Sequence, residues 1–236
     1  MQRLGFTRSS YRADHLLLTA DTFVRAPRPG MERATAIVHV APAVGAGFTQ
    51  YTAEFEAGGT LGPAAGQRFV YVLEGEICID GHTLGADGYA YVPQDLEVPV
   101  TGAAGARASV IEKPYRPLEG VHPPAMFVSG ESAVAPKPLG DDPDLEVRVL
   151  LPDDRAFDFA VNTMTYQPGA ALPMVEIHVM EHGLVMLAGG GIYRLGDQWY
   201  PVTAGDFIWM APYCPQWFGA LGKTPAKYLI YKDWNR

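Results

Sequence analysis

Cysteine is scarce in this chain: Cys78 and Cys214 are the only two among 236 residues. Two thiols so far apart make no disulfide framework and point to a reducing compartment. Positive charge is also in short supply. Lys and Arg total 18 against 26 Asp and Glu, a formal net charge of −8, with no basic cluster anywhere. That balance argues against a surface for nucleic acid or anionic membrane. Long apolar runs are missing too. Leu16-Leu17-Leu18 is far shorter than the hydrophobic region of a secretory signal, and nothing approaches a membrane-spanning helix. A cytoplasmic protein with a small-molecule partner, and without nucleic-acid or membrane partners, is the expectation.

Extended helical periodicity is absent as well, and 26 Gly and 20 Pro punctuate the chain too often for a mainly helical fold. What the chain does have is 48% hydrophobic residues against 19% charged, enough for one sizeable core or two small ones. Runs rich in Val, Ile, Tyr and Phe recur between Gly, Pro and Asp clusters: Arg68 to Ile79, Tyr89 to Val92, Leu184 to Leu187 and Phe207 to Met210. These predict short strands in an all-β sandwich or barrel. Seven prolines between Pro114 and Pro143 read as a connector draped over a surface.

The two sides of that connector repeat each other. Gly75 aligns with Gly189 at an offset of 114, and Tyr89 with Phe207 at 118, the drift falling in a turn where insertions are tolerated. Two tandem copies of one small barrel are therefore expected: an amino-terminal barrel over 1–113, the connector over 114–145, and a second barrel over 146–236.

The segment Val175 to His182 carries the most chemistry. If it is a strand, Glu176, His178, Met180 and His182 share one face, while Val175, Ile177, Val179 and Glu181 share the other. Two imidazoles and a carboxylate on an inward face are costly to bury unless a divalent cation compensates them.

These residues resemble the ligand motifs of the cupins. Gly189 follows His182 by seven residues, as the first cupin motif requires, and counting eleven from Gly205 reaches Gln216, where that family places its fourth ligand. Glu176 and Gln216 stand where cupins usually carry His. A Glu-x-His-x-x-x-His set closed by Gln in a two-barrel chain resembles the ureidoglycine aminohydrolases, a manganese-dependent family of purine breakdown. The likeness reaches the ending Tyr228-Leu229-Ile230-Tyr231-Lys232-Asp233.

The resemblance implies a bicupin fold of two double-stranded β-helix (jelly-roll) barrels and a cation held by Glu176, His178, His182 and Gln216. It also implies a substrate-binding face of Glu176, Tyr193, Tyr228 and Lys232, with Lys232 and Glu176 catalytic. Two imidazoles with a carboxylate and an amide oxygen suit Mn²⁺, with Fe²⁺ or another divalent ion as alternatives to a closed structural zinc site. The implied substrate is a small ureido or amino acid. In the first barrel the aligned positions are Gly62, Ala64, Arg68 and Val98, none a counterpart ligand, so no metal is expected there. His82 and His122 read as surface residues. The alternatives are another cupin enzyme, a dioxygenase or decarboxylase, or a non-catalytic small-molecule-binding bicupin. The apolar Val175, Ile177 and Val179 suggest a homo-oligomer.

Overall fold

The structure, a computed structural model, describes residues 6–64 and 66–234. Their regular structure is strand, apart from three short 3-10 turns, as runs of β-branched and aromatic residues between Gly, Pro and Asp dictate. The expected strands are present as Gln67–Glu74, Ile77–Ile79, Gly88–Val92, His182–Ala188 and Phe207–Met210. The chain is all-β and divides into two compact units.

In the first unit, Thr49–Leu61, Gln67–Glu74, Gly88–Val92 and Arg107–Lys113 join one antiparallel sheet. It closes around a core that includes Tyr51, Phe55, Val70 and Val110. In the second, Ala160–Tyr166, His182–Ala188, Phe207–Met210 and Ala226–Lys232 form one sheet, and Gly190–Leu195, Gln198–Thr203 and Gln216–Ala220 form another. Leu184, Met186 and Tyr228 of one sheet share a core with Tyr193, Leu195 and Phe218 of the other.

The internal repeat is visible in the ladders. Tyr71 pairs with Tyr89 in the first unit, and Val185 pairs with Phe207 in the second. The register slips at the same place in both: between Val72 and Glu74 opposite Ala108 and Arg107, and between Met186 and Ala188 opposite Tyr228 and Lys227. The glycine after each slip has a left-handed backbone, φ 70° at Gly75 and 62° at Gly189. A Cβ there would lie 2.9 Å from the Ala106 Cα or 2.8 Å from the Ala226 Cα, so both turns demand glycine.

The unit boundaries differ from the linear cuts at 113 and 146. The strand His15–Leu18 pairs with Phe207–Met210, Leu18 opposite Phe207 and His15 opposite Met210. The chain up to Phe23 therefore groups with Pro136–Val149 and Phe159–Trp234, while Val24–Ala135 groups with Leu150–Asp158. The physical reason is the short run Leu16-Leu17-Leu18, which covers the open edge of the second sheet with Leu17 fully buried. Nor is 114–145 a draped connector: Phe127–Gly130 pairs with Gly88–Val92, and Lys137–Leu139 with Asp142–Val149. Cys78 is exposed and Cys214 buried, both as free thiols. His82 and His122 are exposed. Among the described residues, no helix is long and apolar enough to cross a membrane.

Candidate metal and active site

Between Val175 and His182 the backbone is not the continuous strand that alternation predicts. Glu176 forms an isolated bridge with Gln216, each N–H donating to the other's carbonyl at 2.8 and 2.9 Å. The His178 carbonyl accepts the Tyr213 N–H at 2.7 Å, and the ladder begins only at His182. Single anchors of this kind hold an extended segment without a paired neighbour. Alternation of faces survives all the same: Ile177 and Val179 are 61% and 66% exposed, while Glu176, His178 and Met180 are half-buried and line a cavity. It ends at Glu181, which strand alternation places with the outward residues. Glu181 is buried, and its carboxylate accepts the Trp209 indole N–H at 3.0 Å.

The cavity, about 260 Å³, lies within the second barrel, and Glu176, His178, His182 and Gln216 all line it. The Glu176 Oε2 is 3.1 Å from the His178 Nε2, and the rings of His178 and His182 are 5.1 Å apart. Tyr193, Tyr228 and Lys232 open into the same space. The Tyr193 hydroxyl donates to the Gln216 Oε1 at 3.3 Å, and the Tyr228 hydroxyl shares a 2.7 Å hydrogen bond with Tyr166. Strand geometry explains the last face: Tyr228, Ile230 and Lys232 alternate along Ala226–Lys232 and all reach the cavity.

Burial sets the protonation states. It pushes His182 down to about 3, helped by the charges of Lys232 and His178, so its imidazole is neutral at physiological pH and keeps a lone pair. It lowers the Lys232 ammonium from its ordinary value, with Glu176 opposing. It raises the Tyr193 and Tyr228 hydroxyls well above theirs, leaving both as donors. A neutral buried imidazole, a second imidazole beside a carboxylate and an amide oxygen are donor types that fit a divalent cation of intermediate hardness.

A second ligand-type cluster has a different character. Ligand atoms of Asp14, His15 and Cys214 lie within 4.8 Å of one another. Both His15 nitrogens are already engaged, with Asp14 at 2.9 Å and Tyr200 at 2.8 Å. Burial pushes the Cys214 thiol up to about 12, so neither group offers a cation a ready electron pair.

Sequence reading missed the wall supplied by Ala160–Tyr166. Asn162 pairs with Ile230 and Met164 with Tyr228, which sets both side chains on the cavity face. Met164 lines the cavity, and Asn162 Oδ1 is buried without a hydrogen-bond partner. The signal was alternation opposite the last strand.

The cupin domain family matches residues 162–231. The protein of Oryza sativa subsp. japonica named "Probable (S)-ureidoglycine aminohydrolase" is 42% identical over 98% of this chain and 77% of its own length. The (S)-ureidoglycine aminohydrolase of Arabidopsis thaliana is 40% identical over 98% and 80%. The chain belongs to the (S)-ureidoglycine aminohydrolase family. A solved Pseudomonas aeruginosa protein superimposes with a TM-score of 0.89 at 29% identity, covering 100% of this chain and 94% of that one. For this member of the (S)-ureidoglycine aminohydrolase family, then, the described residues have an all-β bicupin architecture. The cupin match itself stops one residue before Lys232.

Proposed function

We propose that the protein releases ammonia from (S)-ureidoglycine to give (S)-ureidoglycolate, a step of allantoin catabolism, using Mn²⁺ held by Glu176, His178, His182 and Gln216. The observation that carries this reading is the convergence of those four side chains with Tyr193, Tyr228 and Lys232 on one cavity. A divalent ion bound there would supply positive charge for the substrate carboxylate and Lewis acidity toward a heteroatom on the reacting carbon.

The chain's own groups do the rest. The reaction breaks the bond from the α-carbon to the amine and forms one to a water oxygen, and the proton that the water gives up passes to the departing nitrogen, which leaves as ammonia. Lys232, its pKa lowered by burial, exchanges that proton more readily than a solvated lysine does. Glu176 faces the same point and contacts the substrate amine. Tyr193 and Tyr228, held protonated, donate to the ureido arm, where an unmatched polar group costs heavily in specificity. Met164, Ile230 and Trp234 narrow the cavity and limit bulk water to one face of the substrate.

The exposed Val175, Ile177 and Val179 support association with a second copy of the chain, and the two free thiols support a cytoplasmic location. The decisive experiment is ammonia release from freshly generated ureidoglycine by metal-depleted protein with and without added Mn²⁺. Restoration by Mn²⁺ is expected; equal rates with and without it overturn the metal assignment, and no ammonia under either condition overturns the activity.

A further inference from the structure

The first barrel also has a cavity of about 260 Å³, and its walls bear charges of a different kind. Arg68 precedes Gly75 by seven residues, as His182 precedes Gly189. Glu112 pairs with Arg68 across the ladder, as Lys232 pairs with His182. The cavity therefore occupies the position in its barrel that the candidate active site occupies in the other. Guanidinium groups replace imidazoles.

Glu112 is fully engaged. It accepts from Arg28 Nη1 at 2.9 Å, from Arg68 Nε and Nη2 at 3.0 and 2.7 Å, and from the Tyr51 hydroxyl at 2.8 Å. Burial favours its neutral form, but Arg68 and Arg28 outweigh burial and hold its pKa below the usual carboxylate value, so it is ionised at neutral pH. Two guanidinium charges then face one carboxylate. Arg68 is only 4% exposed, and Arg28 is fixed over the Tyr51 ring at 4.2 Å, so neither can swing freely into solvent. Arg68 Nη1, with Nε and Nη2 of Arg28, makes no hydrogen bond to another described residue. A net positive charge with spare, rigidly held donors in a recessed site is compensated by an anion.

We propose that this cavity is a second, metal-free ligand site that binds a small monocarboxylate between Arg28 and Arg68. One negative charge matches the surplus, whereas a dianionic phosphate would bring excess charge toward Glu112. The planar guanidinium fork fits two carboxylate oxygens, and Met31 and Leu61 in the wall accept a short hydrocarbon part. The site stands apart from the hydrolytic reading, since all its residues belong to the first barrel.

The test uses difluoroacetate as the probe and ¹⁹F line broadening as the readout, on the full chain and on its His182→Ala variant, in chloride-free buffer. Saturable binding of one probe that persists in His182→Ala is expected. Arg28→Gln, a change on a partly exposed loop side chain, should weaken binding about tenfold, as should Arg68→Gln. Glu112→Gln, which raises the cavity's charge, should tighten it. Absence of saturable broadening, binding unaltered by Arg28→Gln, or displacement by chloride or inorganic phosphate as readily as by acetate overturns the proposal.

Discussion

Lys232 stands directly opposite His182 across the antiparallel ladder, at the last residue of the last strand. An ammonium and an imidazole so placed repel when both are charged, and burial selects the state in which the imidazole is neutral. The lysine nearest the chain's end is thus part of a cavity wall, although such a residue is by base rate solvated.

Lys232→Met is expected to retain metal content and melting temperature while turnover falls on the order of 10²-fold or more. Lys232→Arg should not rescue activity, because a guanidinium does not release its proton. Steady-state ammonia release, with metal measured by elemental analysis, decides it. Parent-like turnover in Lys232→Met removes the proposed proton carrier.

His178→Ala and His182→Ala should each lose bound Mn²⁺ and activity but keep the strand circular-dichroism spectrum, because the second core is built from Leu184, Met186, Tyr228 and their neighbours rather than around an ion. The parent should carry one ion per chain. Two per chain would contradict the reading of Gly62, Ala64 and Arg68, and unfolding of either variant would mark the ion as structural.

Gly189→Ala should destabilise the fold more than Gly75→Ala. Both positions have positive φ, which costs a non-glycine residue about 1–2 kcal/mol. At Gly189, however, the added Cβ also meets the Pro225 carbonyl oxygen at 2.4 Å, a backbone atom that cannot step aside. Urea unfolding midpoints of the two variants give the order, and equal midpoints would show that the backbone contact relaxes.

His39 should make stability depend on pH. Its ring is buried, with Nε2 2.8 Å from the Thr52 hydroxyl, and burial together with the Arg107 charge lowers its pKa to about 3. An unfolded histidine titrates near 6.5. Above that pH neither state binds the proton and the full contribution is present. As pH falls from about 6.5 toward 3, the unfolded chain takes up a proton that the folded chain refuses, and stability declines by about 1.4 kcal/mol per pH unit. Urea denaturation at pH 7, 6 and 5 should show a shallower decline in His39→Gln; an unchanged slope assigns the effect to other groups.

The repeat was legible because its markers are local: Gly75 and Gly189 sit at turns whose backbone only glycine adopts cheaply, so an offset between them carries straight into the ladders. The inward set Glu176, His178 and His182 was legible because extended chain alternates faces whether or not it is hydrogen-bonded. That same independence hid the missing ladder, since one bridge at Glu176 and one backbone hydrogen bond at His178 leave no mark on residue type. Glu181 escaped for a related reason: its partner, Trp209, is remote in sequence. The grouping of His15–Leu18 with Phe207–Met210 was likewise invisible, because a short leucine run carries no record of which edge it will cover.

That pairing has a consequence for how the protein is made. The strand His15–Leu18 is translated well before its partner Phe207–Met210. The first barrel's main sheet strands are complete once Phe127–Gly130 has emerged, so they can close while synthesis continues. The strand His15–Leu18 can meet Ser10–Tyr11 at once, but its other edge waits for Phe207–Met210, a closure whose sequence separation slows folding. A fragment beginning near residue 146 would lack that strand, leave the Phe207–Met210 edge open, and present it to other chains as a template for aggregation.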